Sequence, residues 1–236
     1  MFYFELEYDT MKSMKILAFD TSNNSCSVAI SEGQTILAYI EDLTPSMQAS
    51  MLLPMIEEAL TNAKLSYNDI EYLAVTSGPG SFTGIRIGLA AATGILLGSK
   101  IKGGCLSNFD ILYYRAKQQV KHYDKVVVLL DAYRNQLYLQ IFGQNIKSEP
   151  LLLEYDEAID LIQQQKGTII VTGSGAGFVY NKLISLHDLI ILPRFTRIKA
   201  MHICRYADEL LNQRVGLSPI EPLYIRPPDA KITMRS

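Results

Sequence analysis

Tryptophan is absent from the 236 residues, and cysteine occurs only three times. Cys26, Cys105 and Cys204 stand far apart, and no C-x-x-C pair is present. This usage is typical of reduced, partly buried thiols in a cytosolic protein. A small secreted module held together by disulfides is therefore excluded, and the composition predicts a cytoplasmic location.

Histidine is equally scarce. His122, His187 and His202 are isolated, without an H-x-x-x-H or H-E-x-x-H pattern. A zinc or iron peptidase site would need such ligands in register. A G-x-S-x-G nucleophile elbow is missing as well. We therefore predict no metal site and no catalytic residue in this chain, which argues against peptidase activity.

A surplus of basic charge and a long apolar run are both missing. The 22 Lys and Arg residues face 24 Asp and Glu residues, which gives a net charge of −2 at pH 7. Phosphate neutralisation supplies most of the affinity for nucleic acid, so this balance disfavours autonomous binding of tRNA or DNA. The longest apolar stretch, Ile87 to Gly98, is shorter than the roughly 18 residues of a membrane span. We predict no membrane association.

The first residues carry three acidic side chains and no basic residue before Lys12. A secretory signal has a basic start followed by an apolar segment, and this stretch has neither. We expect residues 1–13 to form an N-terminal extension, with Met11 and Met14 as alternative starts, and the organised sequence to begin at Lys15.

What is present is an alternation of strand and helix patterns. In the first half, strands are predicted at 16–19, 26–30, 35–40 and 72–76, and helices at 46–63 and 83–97. After a connecting segment, strands are predicted at 125–130, 137–142 and 168–172, and helices at 156–165 and 200–213.

The two halves are loose copies of a β-β-β-α-β-α unit, each opening with a strand that ends in aspartate, Asp20 and Asp131. This order predicts an α/β protein with the actin-like ATPase fold (the ASKHA, ribonuclease H-like class). The second lobe is expected to be reduced. We place the N-terminal actin-like lobe at 14–115, and the C-terminal lobe with its terminal helix and tail at 116–236.

Three segments are candidates for a nucleotide or anion site. Asp20, Thr21 and Ser22 lie in the first hairpin, where actin-like kinases hold phosphates, although such side chains also satisfy turn amides. At Asp131 the matching turn has no glycine and carries Tyr133 and Arg134, which argues against a working kinase.

The glycine-rich turn Ser77–Gly84 joins a strand to a helix, and helix N-termini bind anions. Gly80 and Ser81 are the candidate residues there, but a P-loop lysine is absent. Arg86 lies in the first helical turn, where the macrodipole disfavours a cation. We hypothesise that it pairs with Asp20 or an anion; the alternative is a tight turn with a buried ion pair.

Gly173 and Gly175 follow another strand and are candidates for contact with a base or ribose. Lone glycine turns are weak signals, and a purely structural turn is an equal alternative.

The two first-half helices are unusually apolar. Met47, Met51 and Met55 recur every four residues beside a second apolar stripe, and the helix after the glycine turn is apolar almost all round. Such helices favour burial on two sides, with methionines suited to adaptable contacts. The alternatives are a partner surface, which could also serve a homodimer, or an ordinary thick core.

Several blocks resemble the TsaB (YeaZ) family: Asp20-Thr21-Ser22, Leu52-Leu53-Pro54-Met55-Ile56, the Gly-Pro-Gly-Ser-Phe-Thr-Gly run at 78–84, and Pro222-Leu223-Tyr224-Ile225-Arg226. The resemblance spans about 15–226. Two positions depart from it: many relatives have histidine at Gln48, and Tyr133 replaces a common arginine.

The resemblance implies a non-catalytic accessory subunit in the synthesis of N6-threonylcarbamoyladenosine in tRNA. It implies a heterodimer with the catalytic paralogue TsaD, joined by the ATPase TsaE, with tRNA bound only through the complex. The residues expected at the partner interface are Met47, Met51, Met55, Ile85, Leu89 and Ala92. Weak binding of an adenine nucleotide is the only cofactor expected. The alternative function is a small-molecule kinase or ATPase.

Overall fold

The computed structural model describes residues 13–183, 189–192 and 197–226. The first half contains β1 (Lys15–Asn23), β2 (Ser25–Glu32), β3 (Thr35–Asp42), α1 (Gln48–Ala63), β4 (Tyr72–Thr76), α2 (Phe82–Leu97), β5 (Lys102–Leu106) and α3 (Asn108–Gln119). The second half contains β6 (Lys125–Asp131), β7 (Gln136–Gly143), β8 (Leu151–Glu154), α4 (Tyr155–Gln163), β9 (Ile169–Thr172), α5 (Ala176–Leu183), β10 (Leu189–Leu192) and α6 (Ala200–Asn212).

The strands form two five-stranded sheets of matching topology, with orders β3-β2-β1-β4-β5 and β10-β9-β6-β7-β8. Each opens with an antiparallel meander, β1 to β3 and β6 to β8, and continues through parallel strands. The prediction of two β-β-β-α-β-α lobes is confirmed. The second lobe is reduced in its outer helices and not in its number of strands: α4 and α5 have 9 and 8 residues, whereas α1 and α2 have 16 each.

The alternating side chains of β1 and β6 reach two different layers. Ile16 and Ala18 face the layer between the two sheets, while Leu17 and Phe19 face the outer side of the first sheet, which α1 and α2 cover. This follows from the two-residue period of a strand. The outer side of the second sheet is covered by α4 and α5.

Helices α3 and α6 fill the layer between the sheets. Helix α6 packs on β1 and β2 of the first sheet, although it comes last in the chain, and α3 contacts β6 and β9 of the second. The predicted boundary at 115/116 is wrong, because it falls inside α3 and assigns α6 to the lobe whose sheet it does not cover.

The segment after α2, predicted as a connection, contains β5 and α3. Strand β5 has the sequence Lys-Gly-Gly-Cys-Leu, in which the two glycines hide the strand pattern. Gly104 is needed because a Cβ there would lie 2.5 Å from Leu217 Cβ, in the C-terminal segment that pairs with this edge.

Some predictions fall outside the described residues: the extension at 1–13 except Ser13, His187, and the tail beyond Arg226. The three cysteines are buried free thiols, as predicted. In the described ranges we find no helix with the length and apolarity needed to span a membrane.

Candidate functional site

The first predicted phosphate residues lie in the interior. Asp20, Thr21 and Ser22 at the end of β1 are at most 1% exposed. Asp20 Oδ1 accepts hydrogen bonds from Ser22 N (3.1 Å), Ser22 Oγ (2.5 Å) and Thr76 Oγ1 (2.7 Å). Burial raises the pKa of Asp20, against the effect of these hydrogen bonds. Its Oδ2 has no hydrogen-bond partner among the described residues.

The glycine-rich turn lies directly on this hairpin. Ser81 N donates to Ser22 O (2.7 Å), and Thr21 Oγ1 donates to Gly84 O (2.8 Å). A Cβ at Gly80 would lie 2.3 Å from Ser22 O, and one at Gly84 would lie 1.9 Å from Thr21 O. The glycines of this turn therefore serve backbone-to-backbone packing, which leaves no room between turn and hairpin.

The structure thus corrects the prediction that Asp20, Thr21 and Ser22 hold a nucleotide phosphate. The glycine-rich turn covers them. Ser81 has a structural task, since its Oγ accepts from Gly84 N (3.2 Å) and caps α2. Gly80 and Ser81 themselves remain half-buried.

The second glycine turn is also structural. Gly173 has a φ of +105°, and a Cβ there would lie 2.1 Å from Leu129 O. Gly175 N donates to the same carbonyl (3.0 Å). Both glycines are buried against β6, so the prediction that they contact a base or ribose is wrong.

At the end of β6, Asp131 is half-buried, and Tyr133 and Arg134 in the turn after it are exposed. Asp131 Oδ1 accepts from Tyr133 N (2.8 Å). Tyr133, Arg134 and Asn135 all have a positive φ, at 58°, 56° and 61°. Three consecutive non-glycine residues in this region are strained, and such strain is concentrated at functional positions.

The hypothesis that Arg86 pairs with Asp20 is wrong. Arg86 points outward: its Nε donates to Tyr224 OH (3.0 Å), and its guanidinium lies 3.8 Å from the centre of the Phe82 ring. The Phe82 and Tyr224 rings are 5.4 Å apart. Because α2 begins at Phe82, Arg86 is its fifth residue and lies just beyond the first turn, where the two aromatic rings hold it.

These residues line a cavity of about 510 Å³ between the lobes. One wall consists of the turn before α2 and the start of that helix, from Pro79 to Arg86; the other includes Asp131, Tyr133 and Tyr138. The C-terminal segment Leu223–Arg226 closes a third side. It is anchored to the first lobe by Leu223 N, which donates to Ser77 O (2.8 Å), and to the second by Arg226 Nη2, which donates to Gln136 Oε1 (2.6 Å).

The predicted interface residues divide into two groups. Met55, Ile85, Leu89 and Ala92 are at most 7% exposed and belong to the first lobe's own core. The prediction that these four side chains contact a partner is wrong, because the sheet and the neighbouring helix already cover them. Met47 is 40% exposed.

The outer side of the α1/α2 layer nevertheless keeps apolar side chains in solvent. Besides Met47, they include Leu53 at 53% and Leu97 at 84% exposure. Ala90 and Gly94 of α2 are also exposed, and Met51 is half-buried. We call this set the α1/α2 face. Single exposed apolar residues are common, but a set on two packed helices is a feature of contact surfaces.

Among the described residues, no three His, Cys, Asp or Glu side chains come together to hold a metal ion. His202 lies in the first turn of α6, half-buried, and the exposed His122 stands in the loop after α3. The sequence analysis did not predict the cavity. Two signals pointed to its residues: Tyr224 and Arg226 belong to the family-like block at 222–226, and Arg86 was expected near a helix N-terminus, where a cation is disfavoured.

Comparison with known proteins agrees with this architecture. A family model described as "TsaD: tRNA N6-adenosine threonylcarbamoyltransferase" matches residues 47–165, about half of the chain. The protein named tRNA threonylcarbamoyladenosine biosynthesis protein TsaB from Haemophilus influenzae is 28% identical over 92% of this chain and 95% of its own length. The protein of the same name from Buchnera aphidicola subsp. Baizongia pistaciae is 30% identical over 89% and 97%.

The solved structure of YeaZ from Pseudomonas aeruginosa has a TM-score of 0.72 and 22% identity, and the match covers 89% of this chain and 99% of that one. The doubled β-β-β-α-β-α topology with a cleft between the lobes defines the class of the actin-like ATPase fold. Within that class, the chain belongs to the TsaB (YeaZ) family.

Proposed function

We propose that this chain is a cytoplasmic, non-catalytic subunit in the formation of N6-threonylcarbamoyladenosine in tRNA, and that it binds and activates a TsaD-type paralogue. The proposal that the chain is not itself catalytic is supported by one observation: the hairpin position at which an actin-like ATPase would hold phosphate is covered. The hairpin that an actin-like ATPase would use is covered by the chain's own glycine turn through contacts of 2.7 and 2.8 Å.

Asp20 is poorly suited to phosphate chemistry in this setting. It is inaccessible, its pKa is raised by burial, and the residues that shift that pKa include no cation. A carboxylate that positions a nucleotide-bound metal ion must reach the ligand. An adenine nucleotide would therefore have to bind elsewhere in the molecule.

The α1/α2 face is the surface we assign to the paralogue. Its apolar side chains lie outside the lobe's core, and the family model covers both of its helices. In this proposal the TsaE-type ATPase joins the pair and tRNA binds only through the complex. The same face supports homodimers when the paralogue is absent.

The test is co-purification with the TsaD-type protein of the same organism, followed by an assay of tRNA threonylcarbamoylation with the TsaE-type ATPase. The chain alone should be inactive, and adding it should raise the activity of the paralogue. Met47→Asp should weaken binding about tenfold or more, because an unpaired carboxylate buried in an apolar contact costs upwards of about 1.4 kcal/mol.

Leu151→Asp is the matched control, because Leu151 is also 40% exposed but lies on the second lobe. It should leave binding unchanged. Threonylcarbamoyl transfer by the isolated chain, or equal binding by the Met47→Asp variant, would contradict the proposal. ATP hydrolysis by the isolated chain, lost in Asp20→Ala and Asp131→Ala, would instead support the small-molecule kinase or ATPase.

A further inference from the structure

The cavity between the lobes has the size and the lining of a small-molecule site. Its volume of about 510 Å³ falls within the range of ligand pockets, roughly 300–1,000 Å³. Its walls combine aromatic and aliphatic side chains with a few polar groups. None of the proposed partner contacts on the α1/α2 face requires it, so it needs an explanation of its own.

Two arginines are held in place at the cavity without a carboxylate partner among the described residues. Arg86 is fixed by the Phe82 ring and by Tyr224 OH, which leaves both of its terminal Nη groups available as donors. Arg226 is fixed by Gln136. A guanidinium that is already oriented loses little freedom when it binds an anion.

The N-terminus of α2 opens on the same space. Phe82 and Thr83 line the cavity, and within the described residues their backbone N–H groups have no hydrogen-bond acceptor. The first turn of this 16-residue helix contains no acidic residue. Free first-turn N–H groups and the helix dipole both favour an anion at this point.

Aromatic rings form the remaining walls. Phe82 and Tyr224 stand on one side, and Tyr133 and Tyr138 belong to the second lobe. Tyr133 is 61% exposed and is presented by the strained left-handed turn after Asp131. Rings at the mouth of a pocket provide stacking surfaces for a planar ligand.

The net charge of the cavity lining limits the number of anionic groups that a ligand can carry. Arg86 and Arg226 face one carboxylate, Asp131, so the lining has a single surplus positive charge. No lysine lines the cavity, and no metal-ligand cluster exists among the described residues to neutralise a polyphosphate. We propose that the cavity binds a small organic molecule in which one anionic group, a phosphate or a carboxylate, is attached to a planar aromatic body.

The experiment uses the purified full chain without partners and calorimetric titration at fixed ionic strength. Adenosine 5′-monophosphate and N-acetylphenylalanine each carry one anionic group and a planar ring. The anion is a phosphate in the first and a carboxylate in the second, so the two probes show which anion the cavity binds. Adenosine lacks the anion, ribose 5-phosphate lacks the ring, and Mg·ATP adds charge. At least one of the first two should bind tenfold or more tightly than its fragments and than Mg·ATP.

Arg86→Met with Arg226→Met should lower that affinity about tenfold to hundredfold, the usual effect of losing charged hydrogen bonds. Arg214→Met, an exposed arginine outside the cavity, is the control and should change nothing. Absence of binding by both complete probes, equal binding of a fragment, tighter binding of Mg·ATP, or an unaffected arginine variant would each overturn the proposal. None of these results depends on the paralogue, so the proposed function is tested separately.

Discussion

At the scale of single residues, His202 has a strongly shifted pKa. It lies in the first turn of α6, and its pKa is lowered from 6.5 to about 3 by burial and by the nearby Arg115, Arg205 and Lys199. The folded protein therefore keeps this imidazole neutral, while the unfolded chain takes up a proton below pH 6.5. Stability that is present at neutral pH is lost as the pH falls through this window.

We predict that His202→Gln reduces the acid sensitivity of folding. Wild-type protein should lose free energy of unfolding between pH 6.5 and 3 with a contribution from this group of at most about 1.4 kcal/mol per pH unit, and the variant should lack that contribution. Urea unfolding at pH 5 and 7 measures it. Asp20, whose raised pKa acts in the opposite direction, is common to both proteins and cancels in the comparison.

His122→Gln is the control, because His122 is exposed in the loop after α3. This variant should follow the wild-type pH profile. Identical profiles for all three proteins would contradict the assigned role of His202.

At the scale of elements, α2 contains glycines with opposite tasks. A Cβ at Gly84 would meet Thr21 O at 1.9 Å, whereas a Cβ at Gly94 would meet nothing within 4 Å. Both lie in the same helix, so they share the same intrinsic cost of glycine relative to alanine. Gly84 permits close approach of two backbones, while Gly94 has no such constraint inside this chain.

We predict that Gly84→Ala lowers the free energy of unfolding by about 1–3 kcal/mol or more, because turn and hairpin must move apart. Gly94→Ala should raise it by about 0.5–1 kcal/mol through the better helix propensity of alanine. Thermal or urea unfolding of both variants checks the pair. Equal effects of the two changes would show that contact with Thr21 does not explain the glycine at position 84.

The elements that the sequence predicted well are those with a strong local pattern. Strand β4 was placed at its observed residues, and α1 and α2 were placed within two residues of their observed ends. Strands β5, β8 and β10 and helices α3 and α5 were missed. Two glycines obscure β5, and β8, β10 and α5 have at most eight residues, too few for a clear period. Helix α3, with 12 residues, lies in the segment that was predicted as a connection.

At the scale of the whole molecule, the layer between the sheets makes the two lobes interdependent. Ile203 and Cys204 of α6 share one core cluster with Ile16 of the first sheet and Val128 of the second. A helix from the end of the chain thus completes the first lobe. The lobes are separate in topology but not in packing.

We predict that the fragment 1–115 does not fold on its own. It lacks α6 and part of α3, so Ile16, Ala18 and Ala29 would face solvent on the inner side of the first sheet. The fragment should show no cooperative urea transition and poor dispersion in NMR spectra, and co-expression with 116–236 should restore both. A cooperative transition of the isolated fragment would contradict this interdependence.

The sequence by itself determined the order of the main elements, the doubled topology and the family, because these depend on local periodicity and on short blocks such as Gly78–Gly84. Only the tertiary structure decided which candidate residues are accessible. The glycine-rich turn that closes over Asp20 is held to the hairpin by two hydrogen bonds, Ser81 to Ser22 and Thr21 to Gly84. Their partners are 59 and 63 residues apart in the sequence. Burial of this kind comes from packing between distant segments, which no local pattern records.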